Sequence, residues 1–144
     1  MGSSIPDSIA QWLNEWQDRI RAADTSGARH LFDDRVIAFG TRANHVRNLD
    51  RLERDQWERV WPRTQGFTFL LEEAVCIISS DGLMACVALP WESFVESNGE
   101  LIRRPGRSSI LLGRTSLEDP WLARHTHFSL EVRDGSLVPG KDSR

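Results

Sequence analysis

The sequence predicts an α+β domain in which three helices precede a curled antiparallel sheet. Three observations predict it. Apolar residues recur at helical spacing as far as Trp61, while β-branched and aromatic residues dominate from Phe67 onward. Asp81-Gly82 and Asn98-Gly99 then divide that second half as hairpin turns. A helical half followed by a stranded half is the pattern of a segregated α+β fold, not of alternating strand–helix–strand units.

Taken in order, Ser8-x-x-Gln11 matches a capping box. Ile9, Trp12, Leu13, Trp16, Ile20 and Ala23 follow on one helical face, with Asn14, Glu15, Asp18 and Arg19 between them. Asp24-Thr25-Ser26-Gly27 breaks this helix and caps a short second one through His30-Leu31-Phe32. Arg35 to Phe39 reads as a short strand and the polar segment from Gly40 to Asn48 as a loop. A third helix carries Leu49, Leu52, Trp57, Val60 and Trp61, and Pro62 stops it. Phe67 to Ser79, Leu83 to Glu96, Arg104 to Ser116 and Trp121 to Val132 complete a four-stranded meander, its last two strands joined through Leu117-Glu118-Asp119-Pro120.

A chain of 144 residues is the length of a single domain, expected to span 1–144 with a polar tail from about 133. A formal net charge of −3 argues against a nucleic-acid binder. No apolar run approaches the roughly 20 residues of a membrane span, and the N-terminus lacks the continuous apolar core of a secretory signal. Cys76 and Cys86 are too few for a disulfide scaffold, so a cytoplasmic location is expected.

A two-residue turn at Asp81-Gly82 sets Cys76 opposite Val87 and Cys86 opposite Ile77, so the two thiols point to opposite sides of the sheet. The same register carries Glu72 opposite Trp91, on the face of Cys76. Across Asn98-Gly99, Ser108 and Ile110 join that face. The other face carries Phe69, Phe94, Glu73, Pro90 and Arg107. Both faces are substantially apolar, whereas a lone antiparallel sheet usually wets one of them. One face packs on the helices, and the expectation for the other is a homodimer.

Trp121-Leu122-Ala123-Arg124-His125-Thr126-His127-Phe128-Ser129 resembles the W-x-x-x-H-x-H-x-S run in the last strand of SnoaL-like domains, members of the nuclear transport factor 2-like superfamily. The association domain of calcium/calmodulin-dependent kinase II carries a similar run. Glu58-Arg59-Val60-Trp61, Ser80-Asp81-Gly82 and Ala85-Cys86-Val87-Ala88 also sit where such domains have comparable segments, and the resemblance extends from Ile9 to Glu131. It implies a cone-shaped α–β barrel whose sheet wraps the helices and leaves an apolar pocket at one end. It specifies activity poorly, because the superfamily holds isomerases, cyclases, dehydratases, hydrolases and pure assembly domains. The ketosteroid isomerase, scytalone dehydratase and limonene epoxide hydrolase branches use tyrosines, and this chain has none, so those mechanisms do not transfer intact. Where the kinase association domain has pocket arginines, the aligned positions here hold Trp91, Ile110 and Phe128.

Glu72 is the acid–base candidate: facing Trp91 inside an apolar cone, it would be desolvated and its pKa raised. The competing reading has it solvated near the mouth or paired with an arginine. Phe39, Trp57, Trp61, Trp91, Thr126 and Phe128, with Ser108 and Ile110, are the candidate ligand-binding residues. The tryptophans at i and i+4 equally fit an ordinary core. His125 and His127 share a face and form, with Arg107, an alternative polar site. A three-residue Leu117–Pro120 connection places these histidines with Arg107 and Ser109, and a four-residue one places them in the cone. The kinase-domain alignment favours the former and an interface role. The basic group Arg103, Arg104 and Arg107 reads as a phosphate grip or as a solvated strand end. Asp33-Asp34 reads as turn chemistry. No glycine-rich phosphate loop, nucleophile elbow or zinc spacing is present, so neither cofactor nor metal is expected. The expectation is a cytoplasmic homodimer that binds a small, mostly apolar molecule or acts on one by cofactor-free acid–base chemistry. The alternative is a non-catalytic dimerisation, assembly or accessory domain.

Overall fold

A computed structural model describes residues 5–131 of the chain. The expected polar tail from about 133 lies outside the described residues. Helix α1 (Asp7–Ala22) buries Ile9, Trp12, Leu13, Trp16 and Ile20, the stripe read from the sequence. The capping box is not used. The helix begins two residues earlier, after Pro6, and Ser8 instead accepts a hydrogen bond from the Trp121 indole at 3.1 Å. Ala23 in the left-handed conformation ends α1. Asp24 then caps α2 (Thr25–Ala28) by accepting from the Gly27 amide at 3.0 Å.

Strand β1 (Phe32–Phe39) starts three residues earlier than its apolar pattern indicates, and Val46–Arg47 adds a short β2 beside it. The third helical stretch begins with α3 (Leu49–Leu52), capped by Asn48. It passes through a π-helical turn (Glu53–Trp57) and α4 (Glu58–Val60), and closes in a tight 3₁₀ turn (Trp61–Arg63) holding Pro62. Arg29 ties α2 to this stretch, donating to Glu53 and Asp50 at 2.7 Å each. These carboxylates hold the Arg29 guanidinium above its ordinary pKa.

The stretch from Phe67 to Ser79 is two strands rather than one. β3 (Gln65–Phe69) and β4 (Val75–Ile78) pair with successive halves of β5 (Met84–Ser97), and a 3₁₀ turn at Leu71–Glu73 separates them. β4 keeps the expected register, Cys76 to Val87 and Ile77 to Cys86. The turn then absorbs three residues, so Phe69, not Glu72, stands opposite Trp91. An odd shift exchanges faces, which brings Phe69 into the core at 3% exposure. The β5–β6 hairpin, with β6 at Glu100–Gly113, runs without a bulge and pairs Val87 with Ile110 and Leu89 with Ser108 as expected. Asn98 and Gly99 both take positive φ, at 53° and 81°. At the other turn only Gly82 does, at 77°. β7 (Leu122–Leu130) follows β6 antiparallel with a register shift beside Arg124.

The sheet order is β2-β1-β7-β6-β5-β3, with β4 also on β5. It is antiparallel except where β1 lies parallel to β7, and it curls around α1 without closing. The interior is aromatic. Trp16 meets Trp12, Phe32 and Phe128 edge-on with ring centroids 4.9–5.3 Å apart. Trp57 and Trp61 stack at 4.7 Å and 19°. Such pairs add roughly 0.5–1.5 kcal/mol each beyond burial.

Candidate functional site

At the open end of the curl, the helical stretch 49–63, the end of β1 and the inner face of the sheet enclose a cavity of about 50 Å³. Six of the eight expected ligand-binding residues surround it: Phe39, Trp57, Trp61, Trp91, Thr126 and Phe128. Phe39 reaches only the rim. The residue is 42% exposed, and its ring centroid lies 5.2 Å from that of His127, on the outer face. Ser108 and Ile110 share the expected face but lie outside the cavity. The Ser108 hydroxyl donates to the Leu89 carbonyl at 2.9 Å, and Ile110 is wholly buried.

Glu72 is not in this site. It sits exposed on the 3₁₀ turn between β3 and β4, because that turn breaks the register that would have carried it inward. No carboxylate or histidine lines the cavity among the described residues. His125 and His127 pair with Leu111 and Ser109, which sets them on the outer face with Arg107. The register shift beside Arg124 puts them there. His125 Nδ1 lies 2.9 Å from the Ile37 carbonyl, which can only accept, so Nδ1 carries the proton. No group of three or more His, Cys, Asp or Glu is placed to hold a metal among the described residues.

Among the further lining residues, Trp16 and Gln56 are not singled out from the sequence as site residues, and Arg104 is read only within the basic group Arg103, Arg104 and Arg107. Trp16 lines the cavity at 2% exposure, and its Nε1–H is the buried polar side-chain atom without a hydrogen-bond partner among the described residues. Such a donor costs about 1–3 kcal/mol when left unpaired. Gln56, in the π-helical turn, accepts from the Arg42 and Ala43 amides at 2.9 and 2.6 Å and donates to Thr41 at 3.1 Å. It thereby pins the segment 40–43 over the cavity. An added Cβ on Gly40 would meet its side chain at 2.4 Å, so only glycine admits that approach. Arg104 stands at the mouth, on the core face of β6 opposite Ser93. Both polar residues had a legible signal. Gln56 interrupts the apolar stripe Leu52–Val60 at i+4 in each direction, and strand alternation separates Arg104 from Arg103 and Arg107. Trp16 has no such signal, since its spacing is that of core.

Helices laid on the concave side of a curled sheet, with an aromatic cavity at the open end, define a class of small α+β cones. The family of SnoaL-like domains matches residues 9–133, and the chain belongs to it. No curated protein sequence matches. Among solved structures, a nuclear transport factor 2-like superfamily protein from Salmonella enterica is similar at TM-score 0.73 and 19% identity, covering 89% of this chain and 92% of that one. The association domain of C. elegans CaMKII is similar at TM-score 0.65 and 19% identity, covering 84% and 92%. A ketosteroid isomerase-like protein from Erwinia carotovora is similar at 0.70 and 13%, covering 87% and 95%. These structural similarities establish a shared fold. No helix among the described residues is long and apolar enough to cross a membrane.

Proposed function

We propose that this chain is a single-domain, homodimeric binding protein for a small, mostly apolar molecule held in the aromatic cavity. The observation that carries this reading is the cavity itself, walled by Trp57, Trp61, Trp91 and Phe128, with the unpartnered Trp16 donor among its lining residues. Apolar walls with a few polar groups are the ordinary composition of a ligand site. Binding is favoured over acid–base catalysis, because Glu72 lies outside and no other carboxylate or histidine of the described residues reaches the interior. A cavity of about 50 Å³ is several times the roughly 10–15 Å³ that one water requires, so it has room for more than a single water-sized group.

The homodimer is supported by the outer sheet face, where Ile77 is 78%, Val75 61% and Ile37 46% exposed beside Cys86, Leu111 and His125. Apolar surface gathered on one face marks an interaction site, and similarity to an association domain agrees with pairing there. A cytoplasmic location is supported by Cys76 and Cys86, which face opposite sides of the sheet. Mass spectrometry of protein purified under native conditions, followed by thermal-shift screening of small aromatic compounds, tests the ligand. Occupancy raises Tm by mass action. A protein that carries no small molecule and gains no stability from any of them refutes the reading.

A further inference from the structure

The cavity does not end at its rim. Thr41, Val60, Thr64 and Arg104 also line an adjoining groove of about 490 Å³. That groove adds Arg42, Arg59 and Arg63, against a single carboxylate, Glu96. None of these four arginine side chains has an ion-pair or hydrogen-bond partner among the described residues. Arg104 is the telling one. It occupies a core-facing position of β6, in alternation with Gly106, Ser108 and Ile110, and is half-buried. Its neighbour Arg103 points the other way and is held by Glu92 at 2.8 Å. A guanidinium at the edge of an apolar interior without a carboxylate is costly unless something anionic joins it. Trp16 adds an indole donor without an acceptor to the same lining.

We propose that cavity and groove form one site for a small organic anion, its apolar end among the rings and its carboxylate or phosphate against Arg104. This rests on the cavity being a ligand site and names what that ligand carries. Clustered arginines suit planar, bidentate recognition of carboxylate and phosphate. The three beyond the rim raise the local concentration of anions.

Calorimetric titration of the full chain with benzoate, butyrate and phenyl phosphate, against neutral benzamide and butyramide, tests it. Benzoate and butyrate should each bind about tenfold or more tightly than the matching amide, the weight of one charge-assisted hydrogen bond. Arg104→Gln should abolish that advantage, and Arg103→Gln should keep it. In the unaltered protein the advantage should also shrink as salt is raised, a readout independent of how any variant folds. Preference for phenyl phosphate over benzoate would assign the natural ligand a phosphate, and the reverse a carboxylate. Amides binding as tightly as anions would overturn the inference while leaving the cavity reading intact. If neither anions nor amides bind, both fall. An anion advantage that survives in Arg104→Gln would overturn the assignment to Arg104.

Discussion

Gly106→Ala is a sharp test of the packing that shapes the cavity. Trp91 lies across β5 and β6 with its ring over Gly106, its indole donating to the Arg107 carbonyl at 3.1 Å. A Cβ on residue 106 would sit 2.1 Å from Trp91 Cζ2 and 2.2 Å from Cε2, where ordinary contact begins at 3.4 Å. The ring must therefore retreat by more than an ångström, into Phe67 and Phe128, whose centroids lie 5.5 and 5.8 Å away. Overpacking of this kind costs about 1–3 kcal/mol, and the indole bond that the retreat breaks is worth about 0.5–1.5 kcal/mol. The sum, about 2–4 kcal/mol, corresponds to a Tm lower by roughly 5–15 °C in a chain of this length. Calorimetry gives the Tm, and urea unfolding should show a lower midpoint at unchanged slope. Trp91→Phe removes the ring atoms that collide, so the double variant should be less destabilised than the sum of the singles by about 1 kcal/mol or more. A single variant within about 2 °C of the parent, or strictly additive effects, would refute this account of Gly106.

Other outcomes follow from the same geometry. Ser108→Ala should cost about 1 kcal/mol in urea unfolding, through loss of the hydrogen bond its hydroxyl donates to the Leu89 carbonyl, and should not alter ligand affinity. The Gly27 amide, then Arg19, hold the Asp24 carboxyl below its ordinary 3.8. That contribution is complete above the unfolded value and is lost as pH falls through the depressed folded one. Asp24→Asn keeps the cap but not the charge, so thermal unfolding should show a shallower loss of stability below about pH 4 in this variant than in the parent. Ile77→Lys, at a position exposed in the single chain, should shift sedimentation from dimer to monomer and remove the concentration dependence of Tm that a dimer confers.

The helices and the two hairpin turns were legible because each rests on local chemistry: the stripe from Ile9 to Ile20, the left-handed pair Asn98-Gly99, and Pro62. Register carried further. Cys76 against Val87 and Val87 against Ile110 follow from turn position alone. The pattern misleads where a short irregularity changes the count. Leu71–Glu73 has no glycine or proline to announce a turn, and it sends Glu72 outward and Phe69 inward. The capping box at Ser8 is a sound local pattern that a distant indole overrides. For the site, the aromatic walls were readable as types, but Gln56 and Arg104 needed the alternation to be followed to its end. Pairing of β1 with β7 could not be read, since no short-range signal connects strands so far apart in the chain.

That last pairing bears on how the protein is made. Phe32–Phe39 finds its parallel neighbour in Leu122–Leu130, and Ser8 waits for Trp121. Phe32–Phe39 therefore leaves the ribosome with a partner not yet synthesised, and its apolar residues stay uncovered until Leu122–Leu130 follows. Translation stalled before Leu122 should yield a species prone to aggregation and dependent on chaperones, whereas chains extended past Leu130 should close the sheet in one cooperative step.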